Sequence, residues 1–171
     1  MEIQCSRVLL RPWRRGDERA LVRHADNRKI WRNLRDRFPH PYTWRDAVEW
    51  IRHVEEQGEP TLSFAIVLGG EPVGGIGFER FTDVEQRVAE IGYWLSEEHW
   101  GKGVATEAVA AATTYAFETF EIDRLYAGVF EWNPASCRVL EKAGYLLEAR
   151  LRRSVFKDGQ TIDRLLYVRF R

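Results

Sequence analysis

The sequence predicts one α+β (mixed α/β) domain over residues 1–171: a central, mostly antiparallel, twisted sheet with flanking helices. Three observations carry that expectation. Three strand-like runs crowd into Leu62–Leu95, too close together for helices between them. Two helical stretches then bracket a fourth strand, Leu125–Phe130. Two last apolar-alternating runs are joined through Asp158-Gly159, a strong hairpin signal. A doubly wound parallel sheet would need strict alternation of strand and helix, which is absent.

Taken in order, Val8–Trp13 reads as a first strand. Asp17–Trp31 reads as one helix, with Leu21, Ala25 and Ile30–Trp31 on a shared face. Pro39 and Pro41 break the chain. Thr43–Asp46 has the chemistry of a capping box and opens a helix to about Glu56, with Ala47, Trp50, Ile51 and Val54 at helical spacing. Strands follow at Leu62–Leu68, Val73–Arg80 and Arg87–Leu95. The middle one carries Gly74, Gly75 and Gly77, which points to a neighbour in close approach. A helix over Val104–Phe120 aligns Ala105, Val109, Ala112, Ala116 and Phe120 in one stripe. Asn133-Pro134 supplies an N-cap and a first-turn proline for a helix that stops at Gly144. Strands Leu147–Phe156 and Thr161–Phe170 close the chain.

Composition narrows the function. Lys plus Arg and Asp plus Glu both number 26, which argues against a dedicated nucleic-acid binder. Residues 1–53 nevertheless carry 13 basic against 7 acidic side chains. A solvated arginine-rich face is the default reading, and attraction of an anionic ligand is the alternative. Cys5 and Cys137 lie in no CxxC or Cys/His cluster, so neither a structural zinc nor a disulfide framework is expected. Charged residues interrupt Met1–Arg15, unlike a signal peptide, and the longest apolar runs are too short to span a bilayer. A cytoplasmic protein without membrane or nucleic-acid partners is the expectation.

The segment that points to chemistry is Trp100-Gly101-Lys102-Gly103-Val104-Ala105-Thr106-Glu107. A strand ends at Leu95, a polar loop reaches two glycines, and a helix begins at once. Unpaired N–H groups and the helix dipole at such a start favour an anion such as a pyrophosphate. Alone, the spacing also fits a tight turn that needs glycine for geometry. The ATPase phosphate-loop pattern is not present, and the dinucleotide fingerprint would have to follow the first strand of a βαβ unit.

With these residues in view, the chain resembles the GNAT superfamily of acetyl-coenzyme A-dependent N-acetyltransferases, over nearly its whole length. The family's R/Q-x-x-G-x-G/A loop reads Trp100-x-x-Gly103-x-Ala105 here. The W-G-K-G-x-A-T-E-A form is similar to the branch that acetylates N-termini of ribosomal proteins. Leu9-Leu10-Arg11-Pro12-Trp13, Ala89-Glu90-Ile91-Gly92-Tyr93-Trp94, Asn133-Pro134-Ala135-Ser136 and Val155-Phe156-Lys157-Asp158-Gly159 add to the match.

The resemblance implies a cofactor site and a reaction. The pyrophosphate of acetyl-CoA would sit on the loop, Trp100, Gly101, Lys102, Gly103, Val104, Ala105 and Thr106. Its pantetheine arm would add like a strand to Tyr93, Trp94 and Leu95. The sheet would splay between that strand and Leu125–Phe130. Asn133 and Ser136 match cofactor-contacting positions, whereas Arg138 and Lys142 read more simply as surface charges. The partners implied are acetyl-CoA and an amine acceptor, with a homodimer as the assembly considered.

The chemistry implied is direct transfer of acetyl from a thioester to an amine. The strand amide near Trp94 or Leu95 is the natural oxyanion donor. Glu90, His99 and Glu131 are the candidate bases, Glu90 foremost. Many relatives carry a tyrosine seven residues after the asparagine as general acid. Leu140 stands there instead, which shifts that role to Ser136. Cys137 has no histidine nearby in sequence and reads poorly as a nucleophile. Trp13, Trp31, Phe38, His40 and Trp44 are candidates for the acceptor wall. A protein N-terminal α-amine is the leading acceptor. A small amine (an antibiotic or polyamine) and a non-catalytic acyl-CoA-binding role stand as alternatives.

Overall fold

The computed structural model describes residues 1–171. Its strands are β1 (Ile3–Gln4), β2 (Leu9–Pro12), β3 (Ser63–Leu68), β4 (Glu71–Arg80), β5 (Val88–Leu95), β6 (Arg124–Phe130), β7 (Leu146–Lys157) and β8 (Gln160–Phe170). Its helices are α1 (Glu18–Ala25), α2 (Arg28–Trp31), α3 (Trp44–Gln57), α4 (Val104–Thr119) and α5 (Pro134–Lys142). All strands join one sheet in the order β1-β2-β3-β4-β5-β6-β8-β7. Every neighbouring pair is antiparallel except β5–β6. A parallel pair needs a crossover, and α4 provides it.

Helices cover the sheet on both faces, and the alternation of side chains sorts the core accordingly. On β3, Phe64 and Ile66 pack into a cluster with α4 and α5 residues such as Val109, Ala112 and Leu140. Ala65 and Val67, pointing the other way, join Leu21 and Ala25 of α1 and Ala47, Ile51 and Val54 of α3. A strand buried on both faces reads as a continuous apolar run, as Phe64–Leu68 does. Gly75 shows why β4 is glycine-rich. A Cβ there would sit 2.7 Å from the Trp94 indole nitrogen and 3.3 Å from the Trp13 ring. The bare backbone leaves room for both indoles to approach the strand.

Three expectations change. The expected helix Asp17–Trp31 breaks at Asp26-Asn27, where the Asn27 side chain accepts from the Lys29 amide and starts α2 afresh. An N-cap signal inside an apolar periodicity outweighs the periodicity. Trp50 leaves the α3 stripe and stands half-exposed beside His53. A short strand, β1, pairs with β2 ahead of the first expected one. The capping box holds as read, with Thr43 and Asp46 satisfying each other's backbone amides. Asp158 and Gly159 both have positive φ in the two-residue turn between β7 and β8.

Two polar anchors seat the N-terminal segment. Arg11, 3% exposed, forms a bidentate pair with Asp17, 6% exposed, at 2.7 and 2.8 Å. The Arg14 amide donates to the same carboxylate. The second anchor is Glu107 in the first turns of α4. It accepts from the Arg7 amide, the Arg7 guanidinium and the Ser6 hydroxyl, and Arg7 in turn donates to the Lys102 carbonyl at 2.7 Å. Burial alone would raise the Glu107 carboxyl, but the hydrogen bonds from Arg7 and Ser6 and the Arg7 charge outweigh it and hold it below the usual range.

Removing one member of a buried pair strands the other charge, so Asp17→Ala should lower unfolding free energy by about 3–5 kcal/mol in denaturant titration. Arg45→Ala, which breaks an exposed pair with Glu49, should leave the midpoint in place. Equal effects of the two would contradict the burial argument. The Glu107 value is depressed by folding, so its stabilisation is complete above 4.5 and lost as pH falls through the folded value. The thermal-midpoint gap between wild type and Glu107→Gln should therefore be constant near neutrality and close in acid; a gap insensitive to pH would refute the anchor.

Candidate active site

The site begins where β5 and β6 part. Their parallel pairing runs only through Val88 with Arg124, Ala89 with Leu125 and Glu90 with Tyr126. Beyond it, β5 stays paired only to β4, as far as Leu95 with Gly74, and β6 only to β8, as far as Phe130 with Arg164. The β6-facing edge of Ile91–Leu95 thus lines a V-shaped cleft of about 1370 Å³.

The crossover places a second set of backbone donors at the mouth of this V. After β5, a helical turn at Glu97–His99 leads to Gly101 and Gly103, both at positive φ. The Trp100 indole donates to the Leu95 carbonyl at 2.7 Å and pins the loop back on the strand. Gly103 is the left-handed N-cap of α4, and a Cβ on it would meet the Arg7 guanidinium at 2.9 Å. None of the amides from Gly101 to Thr106 donates to a protein acceptor; the first bond of the helix runs from Glu107 to the Gly103 carbonyl. Consecutive outward N–H groups with the helix dipole behind them form an anion cradle.

The opposite wall comes from the end of β6 and the start of α5. Asn133 caps α5 by accepting from the Ser136 amide at 3.3 Å. The Ser136 hydroxyl lies 2.7 Å from the Tyr93 hydroxyl, a polar contact across the V. Burial holds the Tyr93 phenol well above its ordinary value, so it stays protonated. Glu90, the last paired residue, sits at the apex. One of its oxygens accepts from Arg35 at 2.5 Å and from the Tyr126 hydroxyl at 3.2 Å, and the other from Arg164 at 3.1 Å. Glu79, directly across on β4, shares Arg35 at 2.9 Å.

The cleft therefore brings together Glu90, Tyr93, Trp94, Leu95, Trp100, Gly101, Gly103, Val104, Ala105, Thr106, Asn133 and Ser136. Lys102 alone of the expected set is outside the lining, its ammonium donating to the Glu98 carbonyl. Among the alternative bases, His99 lines the cleft, whereas Glu131 is outside it and bound to Arg150 and the Asp163 amide. Leu140 is fully buried and Cys137 does not line the cleft. Trp13 and Phe38 reach the cleft; Trp31, His40 and Trp44 do not. Trp31 instead carries the Lys157 ammonium 3.8 Å from its ring centre, and Trp44 faces outward. Arg138 and Lys142, read as surface charges, both line the cleft without a carboxylate partner. Arg35, Arg164 and Trp132 were not singled out by sequence. Their only signal there is the basic surplus of the front half, which bears on Arg35 alone.

Comparison with known proteins agrees with the geometry. Residues 7–146 match the acetyltransferase (GNAT) domain. Uncharacterized N-acetyltransferase YoaA of Bacillus subtilis is 37% identical over 57% of this chain, and the chain spans little more than half of that protein, 54%. Ribosomal-protein-serine acetyltransferase of Escherichia coli is 33% identical over 62% of this chain and 59% of its own length. Spermidine N(1)-acetyltransferase of Escherichia coli is 29% identical over 90% of this chain and 80% of its own. The structure of Mycobacterium smegmatis RimJ in complex with a CoA disulfide superimposes with a TM-score of 0.80 at 29% identity, covering 95% of this chain and 81% of that one. No helix is long and apolar enough to cross a membrane. With a profile match over most of its length and a sheet that splays beside a glycine-bounded helix start, this chain belongs to the acetyltransferase (GNAT) domain family.

Proposed function

We propose that the chain transfers the acetyl group of acetyl-CoA to a primary amine by direct attack, with a protein N-terminal α-amine as the acceptor. The observation that carries this reading is the run of unpaired amides from Gly101 to Thr106 beside the open edge of β5. The diphosphate of acetyl-CoA takes the amides, and the pantetheine arm pairs with the backbone of Tyr93–Leu95 as an added strand. That arrangement directs the thioester toward the apex of the V, between Glu90 and Ser136.

The amine nitrogen attacks the thioester carbonyl carbon and the oxygen becomes an oxyanion, held by a β5 amide near Trp94 or Leu95. Collapse breaks the carbon–sulfur bond. The departing thiolate takes a proton from the Ser136 hydroxyl, which the Tyr93 phenol beside it holds in place, and solvent returns a proton to the serine as Glu90 gives up the one it takes from the amine. The acceptor nitrogen releases its proton to Glu90, directly or through water. Arg35, Arg164 and Tyr126 already occupy acceptor positions on that carboxylate, so it orients and drains a proton rather than stripping a strongly basic amine. This suits an α-amine, roughly a tenth neutral at pH 7, better than a lysine at about one in 2,500.

A polyamine acceptor is the second reading. The spermidine acetyltransferase aligns over 90% of the chain, and a polyamine nitrogen that displaced Arg35 would find Glu79 and Glu90 opposite each other on neighbouring strands.

Incubation with acetyl-CoA and a panel of short peptides, polyamines and lysine derivatives should release one free thiol per acetylated product, fastest with peptide α-amines. Absence of product from every amine would overturn the proposal. Ser136→Ala should lower kcat by about 10²–10³-fold while the KM for acetyl-CoA moves little, since general-acid assistance acts in the transition state. A Ser136→Ala enzyme with wild-type kcat would remove the serine from the mechanism.

A further inference from the structure

Five glycines lie inside strands: Gly74, Gly75 and Gly77 of β4, Gly92 of β5 and Gly128 of β6. None has a positive φ, so backbone conformation does not call for glycine at any of them. Four are required by packing. A Cβ on Gly74 would lie 2.5 Å from the Trp94 carbonyl oxygen, one on Gly75 2.7 Å from the Trp94 indole nitrogen, and one on Gly77 2.9 Å from the Leu62 carbonyl oxygen. A Cβ on Gly128 would collide with the Arg164 guanidinium. Gly92 differs, because a Cβ there would meet no atom within 4 Å.

The space in front of Gly92 belongs to the cleft. Gly92 lines it and is the one exposed residue of β5, although that strand lies in the middle of the sheet. Side chains alternate along a strand, so Gly92 shares a face with Glu90 on one side and Trp94 on the other, each about 7 Å away along β5. Both neighbours are held from outside the strand. Arg35, Tyr126 and Arg164 fix Glu90, and the Phe38 ring meets the Trp94 indole edge-on at 5.7 Å. Glycine weakens a strand interior, since it packs nothing and gains more freedom on unfolding. Where neither conformation nor packing requires it, its remaining use is to let a ligand approach the backbone.

We infer that the space over Gly92 receives the side chain of the acceptor's first residue and sets the size that the site admits. The inference rests on the proposed acetyl transfer to an α-amine and narrows that substrate class. In that reading the amine nitrogen lies against Glu90, which takes its proton. The first side chain branches from the carbon bonded to that nitrogen, so it falls within one strand step of the carboxylate. Gly92 is the next position on that face. Glu90 bounds the space at a polar end, and the Trp94 and Phe38 rings bound it at an apolar end. A short side chain suits such a space, and a side chain added to its floor would compete for the same volume.

The test measures kcat/KM of the full chain with acetyl-CoA and tripeptide amides that differ only in a first residue of Gly, Ala, Ser or Val. The wild type should accept all four. Gly92→Ala should lower the ratio of the valine to the glycine peptide by about tenfold, and Gly92→Val should lower it further. The glycine peptide registers any general damage, so the ratio reads the space alone. Both variants should keep thermal midpoints at or above that of the wild type, because the added groups meet no atom and restrict the unfolded chain. Unchanged ratios, a wild type confined to the glycine peptide, or lowered midpoints would overturn the inference. So would a Gly92→Ala enzyme that loses propionyl-CoA relative to acetyl-CoA with the glycine peptide, since the space would then hold the acyl chain. Failure of the underlying reading looks different: the wild type releases no thiol with any of the peptides, and the inference falls with it.

Discussion

The parting of β5 and β6 after Glu90 and Tyr126 is the constraint on which the site depends. A parallel pair must be joined by a crossover, and here that crossover is α4, so its N-terminus necessarily lies beyond the C-terminal end of β5. The same divergence removes ladder partners from Ile91–Leu95. One topological event therefore exposes two sets of main-chain groups side by side, the strand edge and the helix start. Such groups would be costly if sealed in the core, and the V leaves them facing a cleft instead. Trp100 and Arg7 hold the loop in that position from opposite sides, through the Leu95 and Lys102 carbonyls.

Much of this was legible in the sequence because it has local causes. Gly101 and Gly103 must adopt positive φ, Asn133-Pro134 must start a helix, and Asp158-Gly159 must reverse a hairpin. Each signal lies within a few residues of its effect. The break between α1 and α2 was equally local, but the Asn27 cap was masked by apolar spacing that continues to Ile30 and Trp31. What could not be read were the partnerships. Glu90 meets Arg35 from 55 positions upstream and Arg164 from 74 downstream, and no spacing rule joins them. The wall aromatics failed for the same reason, since only tertiary packing separates Trp13 and Phe38 in the cleft from Trp44 at the surface.

The uneven charge along the chain has a structural explanation. The basic surplus of residues 1–53 is largely answered by carboxylates elsewhere: Arg23 by Glu71, Lys29 by Glu97, Arg28 by Asp158 and Arg35 by Glu79 and Glu90. Lys157, only 2% exposed, completes the set from the other side by pairing with Asp36. Individually, exposed pairs of this kind contribute little to stability. Collectively they tie the α2 segment to the loop before α4 and to the β7–β8 turn. The front wall of the cleft is thereby held on three sides without an apolar core of its own.

That arrangement bears on the choice of acceptor under the reading proposed above. A carboxylate free in the cleft would attract any cation, polyamines and lysines included. Glu90 and Glu79 are not free, because Arg35 bridges them and Arg164 adds a second guanidinium to Glu90. The apex is therefore close to neutral, and bare positive charge is a poor reason for a ligand to enter. Discrimination then falls to groups that remain open, and a site built to hydrogen-bond a particular group rejects analogues lacking it more strongly than a charged patch does. Selection by shape and hydrogen bonding, with charge neutralised beforehand, follows from the same ion pairs that hold the front wall in place.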